Sequence, residues 1–540
     1  MAETVISISF PKSGIDLSLA PSKQPNRPAA NGEYARTTPV GNNVRGFEAL
    51  TRRSRGGTRP GLSKYGSVID AGWIVQHLDT ITTTGGSPVE QSQSGRAVYL
   101  VAVSQGVLKW ILPPASGAWN TPTNNTGASP PLNFTGLMRS AANNQKLYVV
   151  DGVNYRFFDP ANNSMENWTA SAGALPVDAG GNTARLIATW RGRTVLSGLP
   201  EDSQNWFMSR VGDPTDFDYS SVSNDPAQAI AGNNSKLGLI GDTVTALISY
   251  TDDLLVVGGD SSIWMFRGDP LYGGQIDSIS NSIGMAWGEA YCQDQEGNLY
   301  FFSNMTGIFV MAGGQAAPQR LSQAIDQLLT PIDTGNYGVR LLWNDRFQGL
   351  HVFVTPLAEP GATTHFFWEK RSGAWWTDTF GNHDLDPLCC VTYDGNLPTD
   401  RVPLIGSWDG YVRAIDPAAV DDDGTDIDSR VLIGPLTSKT LDELRLDELQ
   451  AVLANGSAVV TYKVYAGETA ELALAAANAV SPVPDEEGTF DPDRNVTEYV
   501  RVAGHAIYVE LSCSDRWAME AIRARFDGAG MVRRRAAPRS

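Results

Sequence analysis

One hairpin design recurs along most of this chain, and it restricts the fold more than any other feature. From about residue 67 to 430, short apolar runs of period two meet a turn of Gly, Asp, Asn or Ser. An aromatic-bearing run follows each turn. Examples are AVYLVAVSQGVLKWI (97–111), KLYVVDGVNYRFFD (146–159), RLIATWRGRTVLSG (185–198) and DDLLVVGGDSSIWMFRG (252–268). GNLYFFSNMTGIFVMAGG (297–314), the run from 350 to 378 and PLIGSWDGYVRAID (403–416) complete the set. Taken at Gly106, Gly152, Gly192, Asp260, Gly307, Gly373 and Gly410, the turns are 37 to 68 residues apart. Four-stranded propeller blades repeat every ~40–50 residues. The spacing therefore predicts an all-β chain built on a divergent β-propeller of six to eight blades. A closed ring removes most open sheet edges, which lets many short strands coexist in water. A pair of β-sandwiches with the same hairpins is the competing arrangement.

The regions outside the repeat read differently. Residues 1–66 predict an extended basic arm, because Pro11, Pro21, Pro25, Pro28 and Pro39 preclude a long helix. The arm ends in NVRGFEALTRRSRGGTRPGLSKYG (43–66), where Phe47 and Leu50 among the charges imply that part of it packs on something. Ordering on assembly is the expected fate of such a segment. QRLSQAIDQLLT (319–330) predicts a short helix stopped by Pro331. Residues 431–540 predict a small, mainly β, sandwich-like domain with a basic tail. Within it LDELRLDELQAVLA (441–454) suits either helix or strand. EYVRVAGHAIYVELSCSD (498–515) reads as two strands about a turn at Ala503-Gly504.

Charge divides the chain in the same way. Residues 1–65 hold ten Lys/Arg against four Asp/Glu, and 530–540 hold four Arg and no acid. With a total of −18, the body from 66 to 529 carries −28. Such a body repels phosphate and excludes a DNA clamp. No run approaches the ~18 apolar residues of a membrane helix, and the first residues lack the pattern of a secretory signal.

Tests for chemistry return little. Cys292, Cys389, Cys390 and Cys513 form no C-x-x-C pair and read as free, mostly buried thiols. His77, His351, His365, His383 and His505 show no metal-ligand spacing and read as packing or surface residues. Phosphate-loop and nucleophile-elbow patterns are missing. Asp252, Asp253, Asp260 and Asp409 fall at hairpin turns, where Asx geometry explains them. No enzyme activity, metal or cofactor is expected.

The arm motif with its R-G-G-x-R-P-G core resembles the N-terminal segment of tail nozzle (tail tubular) proteins of short-tailed bacteriophages. RVGDPTDFDYS (210–220), GMAWGEAYCQDQEGNLYFFSNMTGIFVMAGGQAAPQRLSQAID (284–326) and the C-terminal WAMEAIRARFDGAGMVRRR are similar to further segments of that family. The resemblance covers about a third of the chain directly, on packing and turn motifs. It implies a virion protein of the phage tail, made in the host cytoplasm. It also implies a homohexameric ring below the adaptor or head-to-tail connector, contacts with tail fibres, and a channel through which DNA passes without specific binding. On this reading Arg45, Arg52, Arg53, Arg55 and Arg59, with Arg533, Arg534 and Arg535, are candidate assembly contacts. The alternative is a carbohydrate-binding or carbohydrate-active propeller. Its sugar-stacking candidates, Trp190, Trp206, Trp264, Trp343, Trp375 and Trp376, lie in strand-like runs and are more easily core or interface.

Overall fold

The computed structural model describes residues 4–28, 34–35, 37–84, 96–113, 117–122, 132, 137–220, 225–304, 307–314, 316–395, 400–438, 443–492 and 496–528. The hairpins form seven blades in chain order, six of them separate antiparallel sheets of three or four strands and blade 6 one end of a nine-stranded sheet. Blade 1 holds Val75–Thr84, Arg96–Ser104 and Val107–Ile111, and blade 2 runs from Arg139–Asn143 to Ser164–Asn167. Blade 3 runs from Leu186–Trp190 to Ile230–Ala231, blade 4 from Val244–Thr251 to Gln275–Ser280, and blade 5 from Tyr291–Gln293 to Gln319–Arg320. Blade 6 runs from Tyr337–Asn344 to Ala374–Asp378. Blade 7 holds Cys389–Tyr393, Val402–Gly406 and Val412–Asp416.

The core lies between the blades. Leu147, Val149 and Phe158 of blade 2 pack on Val101 and Val103 of blade 1. Tyr148, Trp168 and Phe217 join blade 2 to blade 3. Trp190, Trp206 and Phe266 join blade 3 to blade 4, and Met265 with Phe301 joins blade 4 to blade 5. Tyr300 and Trp368 bind blade 5 to blade 6. The ring closes where Leu404 and Val412 of blade 7 meet Val75 and Leu100 of blade 1. Each fully buried large side chain contributes about 1.5–3 kcal/mol, so the seams, more than the hydrogen-bonded ladders, hold the ring.

The arm, expected to be extended and to order on assembly, is instead woven through its own chain. Gly61–Lys64 pairs with Val412–Asp416 and is the fourth strand of blade 7. Gly41–Asn42 joins the last strand of blade 6 to Ser429–Thr437. Val44–Arg45 and Gly56–Thr58 pair with each other, and Gly56–Thr58 also pairs with Ala518–Gly528. Thr4–Ile8 lies along that same strand. Gly56 and Gly57 are required by close approach. A Cβ on Gly56 would sit 2.1 Å from the Phe10 ring, and one on Gly57 would sit 2.3 Å from the Trp517 carbonyl oxygen.

The C-terminal part is a sandwich, as expected, but it shares a sheet with the propeller. Blade 6 continues through Gly41–Asn42 into Ser429–Thr437, Ala506–Cys513, Val460–Gly467 and Glu486–Phe490. The facing sheet holds Val496–Gly504, Leu444–Leu453 and Ala518–Gly528. Ala503 and Gly504, expected as a turn, instead end the strand Val496–Gly504, and the bend at His505 carries the chain from one sheet to the other. Leu444–Leu453 is a strand with a register shift between Leu446 and Glu448, which buries Leu446, Leu449, Ala451 and Leu453. That bulge accounts for the helix-like spacing of its leucines. The helix expected over 319–330 shrinks to Asp326–Leu329. Ser322 turns back to accept the Ile308 amide at 3.1 Å and so ends the preceding run. A helix at Ala470–Ala477, capped by Thr469, was not anticipated.

Candidate functional site

Two polar constellations stand out, and the arginine-rich stretch builds the first. Arg45, on Val44–Arg45, is buried. Its two terminal nitrogens donate to Asp378 at 2.7 and 2.6 Å, and its guanidinium lies 4.1 Å from the Phe367 ring centroid. Arg59 is also buried. It donates to Asp422 at 2.9 and 2.5 Å, and to Asn43 Oδ1 and the Thr379 carbonyl. Burial would raise the Asp378 carboxyl, but the adjacent Arg45 outweighs it and holds the group below the usual carboxylate range. Removing either partner of such a pair strands a buried charge, at about 3–5 kcal/mol.

This corrects the assignment of Arg45 and Arg59 as contacts to a neighbouring chain. Both are consumed in ties between arm, blade 6 and the 421–423 loop. Arg55 is paired with Glu48 and Glu520 within the chain. Arg52 lies over Phe347, donates to its carbonyl and stands 3.6 Å from Glu369. Arg53 is exposed. Arg533, Arg534 and Arg535 lie outside the described residues. Phe47 is buried as its place among the charges implied, whereas Leu50 is 45% exposed.

The second constellation lies on the propeller axis. Glu289 precedes the first strand of blade 5. It reaches Arg139 of blade 2, with 2.6 Å between Nη1 and Oε1, and Arg340 Nε of blade 6, 3.9 Å from Oε2. His77 Nδ1 of blade 1 stands 3.5 Å from Glu289 Oε1. Since blades 2 and 5 face each other across a seven-membered ring, this ion pair bridges the axis. Gly288, at φ +96°, turns Glu289 inward, and a Cβ there would meet Arg340 Nη1 at 3.0 Å. His77 Nε2 lies 2.7 Å from Ser140 Oγ, which also bonds Asp79.

Burial, reinforced by Arg139 and Arg340, pushes His77 down to about 3, and burial raises Asp79 to about 6. Arg139 Nη2, Arg340 Nε and Glu289 Oε2 are buried without hydrogen bonds among the described residues. The cluster can store charge and move a proton along Asp79, Ser140 and His77. The Ser140 hydroxyl sits between carboxylate and imidazole, whereas a serine nucleophile has its base between itself and the carboxylate.

The remaining candidates fall into place. Trp190, Trp206, Trp375 and Trp376 are fully buried, Trp343 is stacked on Tyr300, and Trp264 is partly buried. Burial pushes the Cys390 thiol up to about 12 and the Cys389 thiol higher. Among the described residues, no three His, Cys, Asp or Glu side chains are grouped to hold a metal, and no helix is long and apolar enough to cross a membrane. Residue types alone could not have revealed the axial cluster, because its members come from four blades. The one local signal is Gly288 before an acid.

No family model and no curated protein matches the chain. Among solved structures it is similar to the extracellular domain of a B. thetaiotaomicron protein described as a one-component system. The two are 10% identical, with a TM-score of 0.41, over 87% of this chain and 59% of that one. The chain thus spans about 59% of that structure's length, and a likeness at this level bears on neither function nor partner.

Proposed function

We propose that the protein is a structural subunit of a bacteriophage tail. In this role it is a nozzle-ring component that extends the DNA channel below the adaptor, closes it before infection and lets DNA out afterwards. No covalent chemistry is involved. The observation that carries this reading is where the family-like segments fall. The R-G-G-x-R-P-G stretch ties propeller to sandwich, and 284–326 spans the axial Glu289 and blade 5. The 210–220 segment supplies Pro214, whose carbonyl accepts from Trp168 Nε1 at 3.0 Å, and Phe217 of the seam between blades 2 and 3. The segments that resemble the tail proteins are thus framework joints of this fold. That is what shared architecture without shared chemistry predicts.

The axial bridge supports a further point. A propeller whose axis is crossed by Arg139 and Glu289 is not itself the DNA conduit, so the channel belongs to the ring of subunits. An acidic body of −28 around such a ring would keep phosphates from adhering. The carbohydrate alternative draws less support, since four of its six tryptophans have no exposed face.

Native mass spectrometry and negative-stain microscopy of the purified chain, alone and with its head-to-tail connector, test the proposal. A sixfold ring under either condition is expected. A strict monomer under both would overturn it.

A further inference from the structure

One corner of this acidic molecule is basic. Arg346 lies in the turn after Tyr337–Asn344 and Arg371 in the turn after His365–Glu369, so both stand at the same end of blade 6. The arm turn of residues 48–53 packs there too. Arg52 donates to the Phe347 carbonyl at 2.9 Å, and the guanidiniums of Arg52 and Arg371 lie 5.9 and 4.2 Å from the Phe47 ring centroid. Burial, and then the charges of Arg371, Arg45 and Arg346, hold Arg52 below its ordinary value against the pull of Glu369. The acids nearby are already engaged: Glu48 and Glu520 by Arg55, Glu369 by Arg52 and Ser372, and Asp345 by Arg401. Arg53, Arg346 and Arg371 are exposed, and their side chains form no ion pair among the described residues. Leu50, also exposed, shares the arm turn with Arg53.

The complementary chemistry stands at the far edge of the same nine-stranded sheet. Residues 480–487, V-S-P-V-P-D-E-E, lead from the helix Ala470–Ala477 into the edge strand Glu486–Phe490. Val480 and Val483 are 105% and 82% exposed, more than any other large apolar side chain described. Pro482 and Pro484 restrict the backbone between and after them, so the two valines are presented with little entropy left to lose on contact. Asp485, Glu486 and Glu487 follow and are exposed, and Lys463 stands opposite Glu487 on the adjacent strand without an ion pair to it. Five strand spacings, roughly 24 Å, lie between this edge and the last strand of blade 6, so the sheet holds the segment away from the basic corner of its own chain. Exposed apolar side chains followed by acids call for a surface that is both apolar and basic. The corner around Leu50 offers that, with arginines whose planar heads suit carboxylates.

We infer that residues 480–487 of one copy of the chain dock on the corner formed by Leu50, Arg53, Arg346 and Arg371 of the next copy. The valines cover Leu50, and the acids meet the three arginines. The two surfaces belong to different parts of the chain, so the contact is head-to-tail, the kind that closes into a ring when the rotation allows. The inference rests on the ring proposed above and names its contact.

The test is charge reversal in the full-length chain, with assembly followed by mass photometry and sedimentation at ~150 mM salt, alone and with the head-to-tail connector. Arg53→Glu/Arg346→Glu/Arg371→Glu and Glu486→Arg/Glu487→Arg should each weaken assembly at least ~10-fold, because each sets like charges against one another. All five changes in one chain should restore it to within ~3-fold of wild type, a recovery that damage to the fold cannot produce. Val483→Asp should weaken assembly with an unchanged melting temperature. Wild-type rings with equal assembly of every variant would overturn the contact and leave the ring standing. Failure of the five-fold variant to recover, at a wild-type melting temperature, would do the same. A wild-type monomer under both conditions would overturn ring and contact together. Binding of a ~20-nucleotide oligothymidylate that the arginine variant loses, with its assembly unchanged, would assign the corner to phosphate and overturn the contact.

Discussion

At the scale of single residues, burial governs more of the behaviour of this protein than its net charge does. His77 and His351 are both held neutral, each pushed to about 3, chiefly by burial. A base whose folded pKa is lowered contributes stability that is present above its unfolded value, near 6.5, and lost as pH falls toward 3. Each such group changes stability by at most ~1.4 kcal/mol per pH unit. Asp79 works in the opposite sense. Raised by burial to about 6, it binds its proton more readily in the folded state, so acidification from 6 to about 4 favours folding through this group. The two neighbours therefore offset each other in that window. Asp79→Asn should steepen the loss of stability between pH 6 and 4, and His77→Gln should flatten it. Urea midpoints at pH 7, 6, 5 and 4 check both signs; parallel curves for all three proteins would contradict the burial of this cluster.

At the scale of elements, the arm strands separate what could be read in the residues from what could not. The blade hairpins were legible because alternation and turn chemistry act over fifteen residues or so, within one local unit. The arm pairs in strands of two to five residues, such as Gly41–Asn42 and Thr4–Ile8, with partners hundreds of positions away. No local pattern marks such pairings. Its arginines looked like surface contacts because charge ordinarily seeks water. Their partners, Asp378 at the end of strand Ala374–Asp378 and Asp422 in the 421–423 loop, lie 333 and 363 positions further along the chain. Leu444–Leu453 was ambiguous for a different reason, since one bulge gives a strand the spacing of a helix. A direct consequence concerns truncation. Deleting residues 1–66 should leave Val412–Asp416 as an open edge and strip a strand from the sandwich. Aggregation or loss of the cooperative melt is expected, whereas a free arm would leave the melt unchanged.

At the scale of the whole molecule, propeller and sandwich share one core. Trp376 of blade 6 is fully buried, its ring 6.0 Å from Phe10, which in turn lies 6.4 Å from Trp517 of the sandwich. One hydrophobic cluster runs from Phe367 of blade 6 to Phe526. Two domains joined by a linker would melt separately, but a shared core makes one unit. Trp376→Ala should cost about 3–5 kcal/mol. It should lower a single transition, seen alike by near-UV circular dichroism and calorimetry. Two resolved transitions would show that the junction does not couple the halves.

The closure of blade 7 by Gly61–Lys64 also sets a clock for biosynthesis. That strand leaves the ribosome about 350 residues before its partner Val412–Asp416. At about 5–20 residues per second the interval is roughly 20–70 s. Throughout it the nascent chain carries an unmatched strand beside completed blades, and the ring shuts only once Val412–Asp416 has emerged. Yield should therefore respond to whatever shields that waiting strand, such as a holding chaperone or a slower rate of elongation.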